Sequence, residues 1–291
     1  ELERAASQIV AEWNNVDALK EAGVTPTMSC LIVGAPGTGK TTLAYWLAQR
    51  LNLPIVLARI DAMMSSFLGT SARNITQVFN FANRFKCILL LDEFDSLAKM
   101  RDDPNEIGEI KRVVNALLQN LDSRKGVGIT LGVTNHPKLL DEAVWRRFEV
   151  QIKVPLPNFD VRVEIVKRSA APLEYDWPRV AMLAGILDGA SGAEVEDFVR
   201  AYKKRYAIGE KPATPMDALK DIVTLNDNRI SSSAQEVLRS EAQFTAWLKN
   251  NDLFSLKVKE IVPLVGKGKS TVSRKTTVVN QKIKTDRKER A

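Results

Sequence analysis

The sequence predicts an α/β fold: a parallel sheet with helices on both faces, followed by a small all-helical domain and a basic C-terminal extension. Three observations carry this expectation. Short apolar runs rich in β-branched residues alternate with helix-period segments as far as about residue 155, and near-continuous apolar strands are those buried on both faces of a parallel sheet. Pro155 and Pro157 then punctuate the chain, and beyond them only helical periodicity remains. Charge, finally, is unevenly placed. Residues 255–291 hold 11 Lys/Arg against 3 Asp/Glu, while the preceding 254 hold 31 against 32, so the net charge of +7 belongs to the C-terminal segment.

Taken in order, strands are expected at 30–33, 55–59, 88–92, 129–134 and 151–154. A helical pattern covers 42–51, and Ile75, Val78, Phe79, Ala82 and Phe85 fall on one face of another helix. Past the two prolines, helices are expected at 160–170, at 179–187 and, after the Gly189-Ala190-Ser191-Gly192 break, at 193–208. Residues 210–215 read as a linker, and weaker helices are expected at 217–225 and 233–250. The expected division is thus an α/β domain over 1–157, a helical lid domain over 158–210, a helical extension over 211–254 and the basic segment 255–291. A composition of 45% hydrophobic and 26% charged residues is ordinary for a soluble globular chain. No window approaches a membrane span and no signal-peptide pattern opens the chain. Opening at Glu1 rather than Met, the chain reads as an excised piece of a longer protein. Cys30 and Cys87 sit in apolar strand segments and are expected as core thiols in a reducing, cytoplasmic setting. His136 has no His or Cys beside it, so a metal site there is not expected.

Chemistry enters at Gly34-Ala35-Pro36-Gly37-Thr38-Gly39-Lys40-Thr41, which stands between the first apolar strand and a helical pattern that includes Thr42. This is the strand–GxxxxGK[ST]–helix order of a phosphate-binding P-loop. The glycines let the backbone turn tightly and aim successive N–H groups at phosphate oxygens, helped by the positive end of the following helix. Lys40 would reach the β- and γ-phosphates, and the Thr41 hydroxyl would take a position on Mg²⁺. About fifty residues on, the apolar run 87–91 ends in Asp92-Glu93. On a P-loop sheet Asp92 would hold Mg²⁺ through water and Glu93 would polarise the attacking water.

With these motifs in hand the chain resembles an AAA+ ATPase, and more narrowly the AAA clade of protein-remodelling enzymes, over residues from about 10 to 208. Thr130-Leu131-Gly132-Val133-Thr134-Asn135 resembles the strand ending in sensor 1, which implies that Asn135 positions the lytic water. The segment 141–148 resembles the clade's arginine-finger segment. The pair Arg146-Arg147 and the following Val154-Pro155-Leu156-Pro157 are similar to the katanin, spastin and ESCRT-disassembling branch. Each guanidinium would then serve a neighbouring subunit's γ-phosphate, stabilising charge that develops in the transition state. Ser191-Gly192-Ala193-Glu194 resembles the start of the lid helix, with Glu where the clade has Asp, and implies a close approach of Gly192 and Ala193 to the nucleotide. Ser66-Phe67-Leu68-Gly69 resembles a polypeptide-gripping pore loop, although Ser66 replaces the usual basic residue and Thr70 the common Glu. A second pore loop would fall around 102–109. The resemblance thus implies ATP and Mg²⁺ as ligands, a hexameric ring or spiral of identical subunits, and a protein substrate.

The basic segment has two readings. Residues 258–274 resemble a helix-turn-helix whose Ser270-Thr271-Val272-Ser273-Arg274 run opens the recognition helix. Pro263 departs from that pattern, since a proline inside a helix costs about 3 kcal/mol, and residues 276–279 are β-branched. The alternative is a lysine-rich disordered tail. Either form could bind nucleic acid electrostatically, which leaves open a DNA-associated ATPase of a mobile element, phage or plasmid.

Overall fold

The computed structural model describes residues 1–63, 70–96, 107–124, 128–140, 142–207, 214–225 and 232–274. Two compact units divide the chain at Pro155/Leu156.

In the first unit the expected strands form within a residue or so of their expected bounds: β1 Ser29–Val33, β2 Ile55–Arg59, β3 Ile88–Asp92, β4 Thr130–Thr134 and β5 Val150–Lys153. They make one parallel sheet in the order β2-β3-β4-β1-β5. Side chains alternate between faces along a strand, and β1 shows why both faces must be covered. Cys30 and Ile32 pack against helices Leu2–Asn14 and Lys40–Leu51, while Leu31 and Val33 join the core formed by helices Thr70–Ala82 and Ile107–Ser123. Burial pushes the Cys30 thiol up to about 12, and both cysteines are free and buried. The N-terminal helix was not anticipated, although Ala6, Ile9 and Trp13 carry its period. It is tied to the start of β1 by the Trp13 indole N–H donating to the Thr27 carbonyl at 2.8 Å and by Glu12 accepting from the Thr27 amide at 2.8 Å. Phe85 corrects an expectation. Helix Thr70–Ala82 ends before it, and its ring instead meets Phe81 edge-on at the surface.

The second unit is helical: Phe159–Ala170, Trp177–Ile186, Gly192–Ala207, Pro215–Leu225, Ser232–Leu238, Glu241–Asn250 and Val258–Val265, with residues 269–274 also helical. One core runs through it, from Val163 and Val166 to Ile261, Leu264 and Val272. Arg162 is buried there. It donates to the Ala184 carbonyl and to the Pro157 carbonyl, each at 2.8 Å, and pairs with Asp188 at 2.8 Å. A guanidinium thereby occupies the end of helix Trp177–Ile186, where carbonyls lack intrahelical donors. The single helix expected over 233–250 is two, because Ser240 caps a new one by accepting from the Gln243 amide at 3.1 Å. Pro263 lies inside helix Val258–Val265. Both Pro263 and Lys259, whose carbonyl the proline leaves without a donor, are exposed, so water can serve it and the helix persists.

Among the described residues, no helix is long and apolar enough to cross a membrane.

Candidate functional site

Sheet order decides which motifs meet. β4 lies between β1 and β3, with Val33 opposite Thr134 and Leu91 opposite Gly132. The segments that follow these three parallel strands therefore emerge side by side at the C-terminal edge of the sheet, where ligands bind in open α/β folds. Gly34–Thr41 follows β1, Asp92 ends β3 with Glu93 after it, and Asn135 follows β4.

The loop from Gly34 to Thr41 is built around backbone approach. A Cβ on Gly34 would lie 2.5 Å from the Val154 carbonyl oxygen and 2.9 Å from the Thr38 hydroxyl. Gly39 adopts φ 97°, a left-handed conformation that L side chains rarely take. The first helical bond runs from the Leu43 amide to the Gly39 carbonyl at 2.9 Å. The amides of Lys40, Thr41 and Thr42 thus have no intrahelical partner and form an N-terminal donor set suited to phosphate. Lys40 is 6% exposed and its ammonium donates to the Ala35 carbonyl at 2.8 Å, folded over the loop. Burial lowers its pKa, with Asp92 and Asp95 opposing the shift.

Oxygen donors converge opposite. The Thr41 hydroxyl donates to Asp92 Oδ2 at 3.3 Å, and the Glu93 amide holds Asp92 Oδ1 at 2.9 Å. A hydroxyl and a carboxylate so placed suit Mg²⁺, which keeps several waters and is held by one or two protein ligands together with phosphate oxygens. Among the described residues, no group of three or more His, Cys, Asp or Glu that could hold a metal ion is present.

Glu93 has φ 55°, rare for a residue with a side chain and of the kind that collects at functional sites. Its carboxylate stands 3.8 Å from Arg59, which in turn grips Asp61 at 2.7 Å. Partial burial, then the charge and hydrogen bond of Asp61, hold Glu93 above the ordinary carboxylate value, with Arg59 opposing; Asp61 is lowered first by its hydrogen bond from Arg59. Arg59 and Asp61 escaped the sequence reading, as did Asp95. Buried Asp95 accepts from the Thr134 hydroxyl and the Asn135 amide, both at 3.3 Å, and so ties the segment after β3 to the segment after β4. The available signals were a charged residue ending an apolar strand, which pairs in register with Asp92, and a third acid in Asp92-Glu93-Phe94-Asp95.

The two arginines lie elsewhere. The Ser29 hydroxyl donates to the Arg147 carbonyl at 3.0 Å, which puts Arg147 beside the first residue of β1. Five strand residues at about 3.3 Å each separate that point from the P-loop, roughly 16 Å, beyond an arginine's reach. Arg147 Nε meets Asp122 at 3.3 Å, and Arg146 pairs with Glu142. The structure thus brings Lys40, Thr41, Asp92, Glu93 and Asn135 to one edge and keeps Arg146 and Arg147 away from it within one chain.

Gly192 and Ala193 open helix Gly192–Ala207 in the second unit. Ser191 and Glu194 form a reciprocal cap there, with the Ser191 amide donating to Glu194 Oε2 at 2.7 Å and the Glu194 amide donating to Ser191 Oγ at 3.4 Å. The Glu that departs from the clade pattern is the residue that closes this cap. Phe67, Leu68 and residues 102–106 of the expected second pore loop lie outside the described residues, while 107–109 open helix Ile107–Ser123.

Comparison with known proteins matches residues 30–156 to the family described as ATPase family associated with various cellular activities (AAA). An uncharacterised AAA family ATPase of Sinorhizobium fredii is 36% identical over 230 residues, covering 72% of this chain and 70% of its own length. A putative 26S proteasome regulatory subunit homolog of Methanothermobacter thermautotrophicus is 34% identical over 62% of this chain, and a proteasome-activating nucleotidase of Sulfurisphaera tokodaii is 35% identical over 63%. The match spans 50% and 49% of those two relatives, about half their length.

Proposed function

The chain belongs to the AAA family of ATPases, and on that premise we propose that it is a Mg²⁺–ATP-driven motor, a cytoplasmic ring or spiral of about six identical subunits that pulls on a protein substrate. It is an ATP-hydrolysing enzyme. Its loop amides and Lys40 take the phosphates, Thr41 and Asp92 hold the cation, Glu93 polarises the attacking water and Asn135 orients it. Mg²⁺ held by Thr41 and Asp92 would supply positive charge against the charge that develops on the phosphates. Arg146 and Arg147 serve the site of a neighbouring subunit. The narrower placing beside katanin and spastin rests on that arginine pair and on 154–157.

One observation carries the reading: Arg147 stands at the sheet edge opposite its own P-loop. A site that needs that charge is incomplete until a second copy brings it. A protein substrate is supported by relatives named as proteasome-activating and proteasome-regulatory proteins. The test is the hydrolysis rate per subunit as protein concentration is raised. It should climb steeply as the ring assembles, and full activity in a dilute monomer would overturn the assembly. For the pulling step, Phe67→Ala should leave hydrolysis within about twofold while unfolding of a tagged protein drops by about tenfold or more. Unchanged unfolding would remove Phe67 from the channel.

A further inference from the structure

The helices that end the described chain carry features that ATP chemistry leaves unused. Helix Glu241–Asn250 packs on helix Val258–Val265, and Phe244, Leu248, Ile261, Leu264 and Val272 are buried together in one core. Between the second of these helices and residues 269–274 lies a turn of three residues, 266–268. Gly266 sits at φ 64° and its amide donates to the Val262 carbonyl at 2.9 Å; a Cβ there would lie 2.4 Å from the Thr214 methyl. The amides of Thr271 and Val272 then donate to the Gly268 carbonyl at 3.0 and 3.1 Å, starting the next helix at once. Two helices joined by a short glycine turn, the second pinned by one buried apolar residue, have the build of a helix-turn-helix.

Their outer surface is basic. Lys257, Lys259, Lys267, Lys269 and Arg274 are all exposed, and the single acid in 257–274, Glu260, is engaged by the Lys257 amide at 2.7 Å. Ser270 and Ser273, small and exposed, stand on the same short helix as Lys269 and Arg274. A helix about 10–12 Å across, bordered by cations and bearing small polar side chains, fits a B-form major groove about 12 Å wide.

We propose that residues 241–274 form a helix-turn-helix that binds duplex DNA, with residues 269–274 entering the major groove and helix Val258–Val265 crossing the phosphate backbone. This rests on packing and charge in the second unit and is independent of the ATPase reading. Truncation near Phe254 is a poor test, because it would strip Ile261, Leu264 and Val272 from the core. Charge reversal in the full chain avoids that.

The experiment measures anisotropy of a labelled mixed-sequence DNA duplex of about 30 base pairs as salt is raised from about 50 to 200 mM. The full chain should bind, with affinity falling steeply with salt. The Lys267→Glu/Lys269→Glu/Arg274→Glu variant should bind at least about tenfold more weakly and lose about 3 from the log–log salt slope. Its ATP hydrolysis and thermal unfolding should match wild type. No binding by the wild type at low salt, or an unaffected triple variant, would overturn the proposal. So would equal competition by an RNA duplex, whose major groove is too narrow for a helix, or by polyglutamate. Loss of binding on removing 275–291, with the triple variant unaffected, would assign the interaction to those last residues and likewise overturn it.

Discussion

Glu93→Gln is expected to leave ATP binding within about twofold of wild type while lowering turnover by about 100- to 10,000-fold, the range for loss of a positioned general base. The side chain is 47% exposed and its partner Arg59 is at the surface, so the amide should not disturb the fold. The Glu93 backbone amide continues to hold Asp92, because substitution changes only the side chain. Binding and chemistry are therefore separable at this residue. Titration with a fluorescent ATP analogue reads the first, and phosphate release under single-turnover conditions reads the second. Turnover within about tenfold of wild type would remove Glu93 as the base and leave the left-handed backbone at this position without a catalytic explanation.

Arg147→Ala should abolish hydrolysis, by about 1,000-fold or more if it acts as a finger, without weakening nucleotide binding. Its ion pair with Asp122 is half exposed on both sides, and such pairs contribute little to stability. A fold defect is therefore not expected. Mixing supplies the sharper readout. Subunits carrying Arg147→Ala keep an intact P-loop, and subunits carrying Lys40→Ala keep an intact finger. Equal mixtures should recover up to about a quarter of wild-type hydrolysis, because random neighbours pair an intact P-loop with an intact finger in that fraction of sites. A mixture as inactive as either parent would show that Arg147 does not act across a subunit boundary.

Much of the candidate site was legible because its residues are contiguous. Gly34–Thr41 and Asp92-Glu93 each sit at one strand end, where local sequence dictates local geometry. What escaped were residues made neighbours by strand pairing. Arg59 and Asp61 stand more than thirty residues before Glu93, and nothing in either stretch announces the other. Asp95 carries no role in the sequence alone, and only strand pairing brings Thr134 and Asn135 against it. Likewise, Phe85 continued a helical period that Ala82 had already ended, and Pro263 counted against a helix that tolerates it on its solvent face.

By itself the sequence determined the five strands almost to the residue and the helical character of the chain over 160–207. These follow from hydrophobic period, β-branching and turn chemistry, which act between near neighbours. Only the tertiary structure decided the order β2-β3-β4-β1-β5. That order places Asn135 beside the P-loop, Arg59 beside Glu93, and Arg147 at the far edge of the same sheet. The reason is physical: a strand's apolar face says that it must be buried, but which strand lies next to it is settled by crossover connections and packing across the whole unit.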